Sequence, residues 1–350
     1  MEVSQPFPIL KLPFVALWNV IKSMERKELI DLSFTSKRLV TIIKSIPIPN
    51  SDIEIGITNL QSSFFPQQNI QPLIMTEDLQ ERIKHLGGKF DFNESTGKEI
   101  IQFEYSKAFI DYICALYRSE IFAVQIDVRI PIPLLTSVLE WMNDRQPVLT
   151  SCLIYGDCKD NETIDRFFQK RILPIRQLHL NLKLSPEAKT FNFGILEMEE
   201  FTARHRDINT LNPIPNWITV ETVLTSNCII MCIGASPFTV ADLKRIIKGW
   251  INGNNPRMEY FHVEVKKFNL RSLLKGIEYE KRETTFERMY IPKNKSYKIQ
   301  RPVTKRTISG GYDIRRSDGT VATFQVLSRP QNPTALWKFV MVIWKKTVDS

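Results

Sequence analysis

The strongest hydrophobic pattern in the chain lies within residues 7–46. Large apolar side chains there recur at three- and four-residue steps, which is the spacing of one face of an α-helix. The positions that follow this spacing are Phe14, Leu17, Trp18, Ile21 and Met24. The pair Leu12-Pro13 stands before them, and proline suits the first helical position because its missing N–H is not needed there. The pattern therefore predicts a helix that begins at Pro13.

Two further short helices are predicted in the same segment. Leu29 and Leu32 mark the second, and Thr35 or Ser36 can cap the third. The third helix carries Leu39, Ile42 and Ile43. Three helices this short have too little interior for so many large side chains. The surplus apolar surface must face either the rest of the chain or another protein.

The pattern of residues 47–120 predicts a linker followed by mixed α/β structure. Pro47 and Pro49 end the helical segment. Helices are predicted over residues 76–86 and from about 107 to 117. Strands are predicted around 89–92 and 99–105.

A short apolar strand followed by an amphipathic helix recurs through residues 121–288. Strands are predicted at 122–129, 151–155, 176–182, 228–233 and 259–265, and helices near 131–142, 161–172 and 239–251. This alternation predicts a parallel sheet. Three strands share an apolar-x-x-apolar-x-apolar start, at Leu149, Ile175 and Met258. That is the logic of a leucine-rich repeat, although an irregular α/β domain without a true repeat remains open.

The helix over 239–251 has the clearest boundaries. Thr239 is a suitable N-cap, and Asp242 three residues later completes a capping box. Gly253 provides the stop. Leu243, Ile246 and Trp250 lie on one face and are expected to pack against the sheet.

The last segment, residues 289–350, changes to a β-rich pattern. Strands are predicted at 289–291, 297–299, 312–316, 321–327 and 336–343. The Asp318-Gly319 dipeptide is preferred in two-residue hairpin turns, so an antiparallel hairpin is predicted over 312–326.

The composition indicates a cellular compartment and shows that charge is unevenly distributed along the chain. The chain has 350 residues, 43% of them apolar, and its five cysteines are too few and odd in number for a disulfide framework. We expect reduced thiols in an intracellular protein of the cytoplasm, the nucleus or both, with no signal peptide and no membrane span. Residues 256–350 hold 20 Lys and Arg against 9 Asp and Glu, so the net charge of +9 originates there. This bias fits nucleic acid, an acidic protein surface, or a solvated face.

The residues suggest no catalytic chemistry. The four histidines are far apart in sequence, and none has a cysteine or histidine at metal-ligand spacing. Cys228 and Cys232 are four residues apart, which suits one face of a strand rather than a zinc or redox site. We predict no metal, no cofactor and no catalytic residue.

The N-terminal segment resembles an F-box. The resemblance rests on Leu12-Pro13, Ile21, Met24, the run from Glu28 to Ser33 and the run from Ser36 to Leu39. It implies docking onto a Skp-type adaptor and, through it, a cullin. The implied adaptor-binding residues, which we expect to be exposed in the isolated chain, are Leu12, Pro13, Phe14, Leu17, Ile21, Leu29 and Leu32. From the residues alone, an ordinary helical cap remains the alternative.

The second half resembles the type 2 F-box-associated domain of nematode F-box proteins. The matching stretches are Asn209–Trp217, Cys228–Ile233, the 239–251 helix, Arg257–Val265 and Tyr312–Ala322. This resemblance implies substrate recognition and supplies no catalytic residue. The cysteine or RING that ubiquitin transfer needs would come from other subunits.

Together these features predict a substrate receptor of a cullin-based ubiquitin ligase. The expected fold is α+β or α/β, with a three-helix F-box, an irregular leucine-rich-repeat-like body and C-terminal antiparallel hairpin strands. The expected domains are 7–46, 47–120, 121–288 with the associated domain at about 207–265, and 289–350. There are two rival functions. One is a nucleic-acid-binding protein that uses residues 256–350, although nucleic acid is a less favoured partner than protein. The other is a repeat scaffold outside ubiquitin transfer.

Strand alternation also predicts which side chains face a target protein. If Leu178, Leu180 and Leu182 point into the core, their polar neighbours point outward. The candidate contacts are Gln177, His179, Asn181, Lys183, His262 and Glu264, with Arg315 and Arg316 as a second patch for an acidic target.

Overall fold

The computed structural model describes the chain in twelve stretches. They are residues 9–46, 53–58, 62–65, 73–74, 77–85, 98–158, 162–170, 174–184, 197–205, 218–292, 305–327 and 336–344. Contacts divide the chain into two compact units, Met1–Val124 and Gln125–Ser350.

The first unit begins with the predicted helices. After a 3₁₀ turn at Ile9–Lys11, its elements are α1 (Phe14–Ser23), α2 (Arg26–Ser33), α3 (Lys37–Ser45), β1 (Ile53–Ile57), β2 (Ser62–Phe65), β3 (Leu73–Ile74), α4 (Glu77–His85) and α5 (Lys98–Tyr117). Ser36 caps α3 by accepting a hydrogen bond from the Arg38 amide at 3.2 Å. Strand β2 pairs antiparallel with both β1 and β3.

Helix α5 corrects one prediction. The strand expected over 99–105 is wrong, because α5 runs continuously through these residues. Its buried positions include Phe103, Phe109 and Ile113, which follow helical spacing rather than strand alternation. The aromatic and β-branched residues that suggested a strand have only weak local preferences, which packing overrides. The strand predicted at 89–92 lies outside the described residues.

The second unit alternates strands and helices and then becomes all β. Strand β4 (Ile121–Asp127) contains the boundary between the units. The elements after it are α6 (Ile132–Arg145), β5 (Leu149–Cys158), α7 (Glu162–Lys170), β6 (Ile175–Leu184), β7 (Glu200–His205), α8 (Val220–Thr225), β8 (Ile230–Ser236), α9 (Val240–Ile251), β9 (Tyr260–Val265), α10 (Leu270–Leu274), β10 (Glu280–Tyr290), β11 (Arg306–Arg315), β12 (Val321–Leu327) and β13 (Trp337–Trp344).

The predicted parallel sheet is confirmed. Strands β5, β6, β7, β8 and β9 are neighbours in chain order, and every pair is parallel. Leu178 of β6 lies opposite Cys152 of β5 and Phe201 of β7, and all three side chains are buried. Strand β7 and helix α8 were not predicted. The expected fold class, a helical N-terminus and an α/β body with antiparallel C-terminal strands, matches the structure.

The antiparallel strands extend the sheet from β9 in the order β13, β12, β11, β10. The predicted hairpin over 312–326 is present, with Arg315 opposite Val321. Its turn is longer than predicted, because the Arg316 amide donates to the Thr320 carbonyl at 2.9 Å and leaves three residues between them. Gly319 takes the left-handed position at φ 84°, as three-residue hairpin loops require.

The C-terminal end of the sheet curls back on itself. Strands β9 and β10 are separated by three strands in the sheet. Nevertheless the rings of Tyr260 in β9 and Tyr290 in β10 stack with centroids 5.4 Å apart. Ile308 of β11 and Val342 of β13 belong to the same buried cluster. Strands β10 and β11 therefore cover part of the face of β8 and β9.

Candidate functional site

The first candidate site is the exposed apolar surface of α1. Phe14 is 63% exposed and Val15 is 70% exposed, and Pro13 beside them is also exposed. The Phe14 ring lies 5.7 Å from that of Trp18, over which the Lys22 ammonium sits at 5.3 Å. Such a run of exposed large apolar side chains on one short helix is typical of a protein contact surface.

The structure corrects the expected exposure of three predicted adaptor-binding residues. Leu17, Ile21 and Leu29 are only 2%, 1% and 5% exposed. These side chains are buried because short helices have few other residues with which to build an interior. Leu12 and Leu32 are half-buried. Adaptor contact by all seven residues stays a prediction, but Pro13 and Phe14 are the two of them whose side chains are exposed.

Helix α2 is fastened to α5 within the first unit. The Tyr112 hydroxyl donates to Ser33 Oγ at 2.7 Å, and the Tyr117 hydroxyl donates to the Arg26 carbonyl at 2.9 Å. Burial raises the pKa of Tyr117, which keeps its hydroxyl protonated as a donor. The Phe34 ring, at the end of α2, stacks on Tyr112 at 5.3 Å. The helices that precede the linker are therefore held by side chains far along the sequence.

The second candidate site lies around α9 in the second unit. The predicted capping box is present: the Asp242 amide donates to Thr239 Oγ at 3.2 Å, and the Thr239 amide donates to the Asp242 carboxylate at 2.8 Å. After the helix, Asn255 adopts a left-handed φ of 53° and is buried. Its side-chain amide donates to the carbonyls of Val223 and Ser226 at 2.7 and 2.8 Å. This asparagine ties the end of α9 to the end of α8.

The hairpin between β11 and β12 is tied to α9 through one arginine. Arg316 Nε donates to the Trp250 carbonyl at 3.0 Å, and its terminal nitrogen donates to the Asn254 carbonyl at 2.9 Å. Its guanidinium lies 4.5 Å from the Trp250 ring centroid. Trp250, Leu243 and Ile246 are buried, as predicted. A cation at the carboxyl end of a helix also complements the helix dipole.

The predicted target-contact residues on the sheet are corrected. Gln177 and His179 are 2% and 1% exposed, whereas Lys183 is exposed. His262 and Glu264 are half-buried. Burial is the main cause that lowers the pKa of His179 to about 4 and that of His262 to about 3, so both rings are neutral near pH 7. The face expected to be an open binding surface is thus largely covered at these positions.

Two arginines near the C-terminus share one buried carboxylate inside the fold. Arg282 and Arg288 both donate to the buried Asp313 carboxylate, at 2.8 and 3.1 Å. Thr323 Oγ1 also donates to Asp313, and the Trp344 indole donates to Thr323 at 2.7 Å. Arg315 has a different environment, because its side chain is exposed and, among the described residues, donates only to the Gly319 carbonyl, at 3.4 Å.

The described residues offer little for catalysis. The four cysteines whose side chains are described form no disulfide with one another and are buried, and burial raises the pKa of Cys228 and Cys232 to about 12. Their thiols are therefore protonated and poor nucleophiles. Within the described ranges, no group of three or more His, Cys, Asp or Glu side chains could hold a metal ion. No helix in the same part of the chain is long and apolar enough to cross a membrane.

Comparison with known families identifies both regions. A family model described as F-box domain matches residues 9–50, and one described as F-box associated matches residues 198–263. The chain carries an F-box and an F-box-associated domain. The chain is also similar to the uncharacterized protein F59B2.9 of Caenorhabditis elegans, with 24% identity across 96% of this chain and 79% of the relative. No solved structure matches the chain significantly.

Both predicted resemblances are thereby confirmed at the level of domains. The F-box contains the exposed Phe14 and the three helices α1 to α3. The F-box-associated domain contains β7, α8, β8, α9 and most of β9, including the buried Trp250. The matching stretch Asn209–Trp217 lies outside the described residues. Sequence reasoning did not single out Val15, whose exposure depends on which face of α1 turns inward.

Proposed function

We propose that this chain is the substrate-recognition subunit of an SCF-type ubiquitin ligase. Its F-box would dock a Skp-type adaptor and, through it, a cullin, and its C-terminal body would hold a target protein. The observation that carries the proposal is the exposed apolar surface of Phe14 and Val15 on a helix inside a segment that matches the F-box model. A target surface at the F-box-associated domain is supported by the exposed Arg315, which lies on the hairpin that Arg316 ties to Trp250 of α9.

In this proposal the chain makes and breaks no covalent bond. It raises the local concentration of the target's lysines near a loaded ubiquitin carrier that other subunits hold. The raised pKa values of the buried cysteines agree with a non-catalytic role. Because the adaptor and cullin act inside cells, the proposal places the chain in the cytoplasm, the nucleus or both.

The proposed division of labour follows the expected domains. Residues 7–46 bind the adaptor, and residues 47–120 connect and support them. The body at 121–288 and the β-rich segment at 289–350 recognise the target. The hydrogen bonds from Tyr112 and Tyr117 to α2 support a rigid connection between the F-box and the segment that follows it.

The nucleic-acid alternative receives less support. Arg282 and Arg288 use their guanidinium groups within the fold, on the Asp313 carboxylate. Contacts to phosphates need free cations, and such binding weakens steeply with salt. A salt titration of binding to random nucleic acid distinguishes this alternative.

The proposal is tested by affinity purification of the full chain followed by mass spectrometry. Wild-type chain should recover the adaptor and a cullin, and the double variant Leu12→Ala/Pro13→Ala should lose both. Circular dichroism of the purified variant checks that the body is still folded. Full recovery of the adaptor by this variant, or recovery of neither subunit by wild type, would contradict the proposal and favour a scaffold outside ubiquitin transfer.

A further inference from the structure

A cavity of about 580 Å³ lies beside the end of α9 in the second unit. Its walls come from the last residue of α9, the segment that leads into β10, and the β11–β12 hairpin. The apolar part of the lining consists of Ile251, Tyr279, Ile314 and Val321. A concave site with apolar walls and a few charged groups is the usual form of a binding pocket.

One wall of this cavity carries a buried cation that has no ion-pair partner among the described side chains. Arg316 is only 9% exposed, and its hydrogen bonds go to the neutral carbonyls of Trp250 and Asn254. Desolvation lowers the pKa of Arg316, and the charge of Asp318 opposes that shift only through space. A buried charge without a counter-ion is costly, and an anion in the cavity would offset that cost.

The neighbouring Arg315 adds a second available cation to the lining. Its side chain is exposed, and within the described part of the chain it donates only to the Gly319 carbonyl. Asp313 also lines the cavity, but its carboxylate is already occupied by Arg282 and Arg288. The two arginines of the hairpin therefore keep their positive charge free for a ligand.

The rest of the lining limits what the ligand can be. Tyr279 is 45% exposed and offers an aromatic face, supported by an edge contact with Tyr312 at 5.6 Å. Glu278 is exposed and has no ion pair or hydrogen bond among the described residues. A simple inorganic anion would leave the aromatic and acidic groups unused. A peptide segment would use all three, with an acid on the arginines, an apolar side chain on Tyr279 and a backbone N–H on Glu278.

We propose that this cavity binds a short extended peptide in which a carboxylate side chain lies next to a large apolar one. Arg315 and Arg316 bind the carboxylate, and Tyr279 and Val321 contact the apolar side chain. This inference rests on the proposed function, because the peptide would belong to the target protein. It also gives the basic C-terminal bias of the chain a specific role.

The test uses a random dodecapeptide phage library selected on the immobilised full-length chain, with counter-selection on the Arg315→Ala variant. Arg315 is replaced because it is exposed, whereas Arg316 also holds the turn against α9. Enriched peptides should carry Asp or Glu within two positions of a large apolar residue. Enrichment of peptides without an acid, or no enrichment over the counter-selected variant, would overturn the inference.

An enriched peptide is then synthesised with a fluorescent label, and its binding is measured by anisotropy. Loss of one charge-assisted contact should weaken binding about tenfold in Arg315→Ala. Tyr279→Ala should show a similar loss, and Lys305→Ala, at an exposed cation outside the lining, should stay within about twofold. Peptides with glutamine or phosphoserine in place of the acid distinguish a carboxylate from a phosphate as the recognised anion. Equal binding to wild type and Arg315→Ala would refute the inference.

Adaptor binding is measured on the same variants. Arg315→Ala should bind the adaptor as wild type does, because the F-box is untouched. If wild type binds the adaptor but the peptide results fail, only the cavity inference is wrong. If wild type does not bind the adaptor, the proposed function fails whatever the peptides do.

Discussion

Replacing Trp250 by alanine should remove the largest single packing contribution of the F-box-associated domain. The side chain is 1% exposed, and truncation of a buried Trp costs about 3–5 kcal/mol. The variant also loses the contact between the Trp250 ring and the Arg316 guanidinium, 4.5 Å from the ring centroid, which should add up to about 2 kcal/mol to the destabilisation. The Arg316 bond to residue 250 survives, since its acceptor is a main-chain carbonyl.

The assay is urea unfolding of the full chain followed by far-UV circular dichroism. A total loss of about 3–7 kcal/mol is large against the stability of ordinary domains, so the urea midpoint of the variant should fall far below that of wild type. Trp337→Ala is the matched control, because Trp337 is half-buried at the start of β13 and contacts Phe268 at 5.9 Å. That variant should lose only about 1 kcal/mol.

The coupling between Trp250 and Arg316 can be measured separately. A double-mutant cycle with Trp250→Ala and Arg316→Met isolates the stacking interaction, which should be about 1–2 kcal/mol. If Trp250→Ala loses no more stability than Trp337→Ala, the packing of α9 described above is incorrect.

Three further predictions follow from single contacts. Gly249→Ala should change the stability by less than about 1 kcal/mol, because the new Cβ meets only the end of the flexible Leu224 side chain, which can move aside, and alanine has the better helix propensity; urea unfolding measures this, and a loss of several kcal/mol would contradict it. Asp313→Ala should cost about 3 kcal/mol in the same assay, because it removes the buried carboxylate that Arg282 and Arg288 share and, among the described residues, leaves only Arg282 with another acidic partner, Glu280; an unchanged midpoint would refute that role. His179 should make stability depend on pH: below pH 6.5 the unfolded chain binds a proton, whereas the folded ring does not until about pH 4. Stability contributed by the neutral ring is therefore complete above pH 6.5 and falls as the pH drops toward 4, by about 2 kcal/mol at pH 5. The variant His179→Gln should lose less stability between pH 7 and 5 than wild type does, and an equal loss would show that His179 is not the titrating group.

Elements with a complete local pattern could be predicted from the sequence. Helix α9 has its cap, its apolar face and its stop within fifteen residues. The predicted boundaries therefore agree with the observed ones to about a residue. In strand β6 the apolar Leu178, Leu180 and Leu182 alternate with polar residues, and the predicted strand at 176–182 lies within it. The parallel order of these strands follows from the helices between them, because a crossover connection is what parallel neighbours need.

Elements whose form depends on distant parts of the chain could not be predicted. Strand β7 has polar residues at alternate positions, Glu200, Thr202 and Arg204, and gives no apolar run to detect. His179 and Gln177 look like outward-facing residues in the sequence, yet they are buried on the sheet. The curl of the sheet brings Tyr290 over Tyr260, although the two residues are 30 apart in sequence and their strands have three other strands between them. No local pattern records such a contact.

The same limit applies to the F-box. Its residue types and spacing could be recognised, but helical periodicity alone did not show which apolar face turns inward. Leu17 and Ile21 are buried, whereas Phe14 and Val15 are exposed, and only the packed structure distinguishes them. The exposed pair is therefore the sharper place to test adaptor binding.

The most direct test of the account is the affinity of the purified full chain for a Skp-type adaptor, measured by titration calorimetry. Wild type should form a complex of one chain with one adaptor. The double variant Phe14→Glu/Val15→Glu should bind at least about a hundredfold more weakly, since charges would enter the apolar centre of the interface. Phe286→Glu, at a phenylalanine 41% exposed in the second unit, should bind as wild type does. Unchanged binding by the Phe14→Glu/Val15→Glu variant, or no binding by wild type, would contradict the central claim.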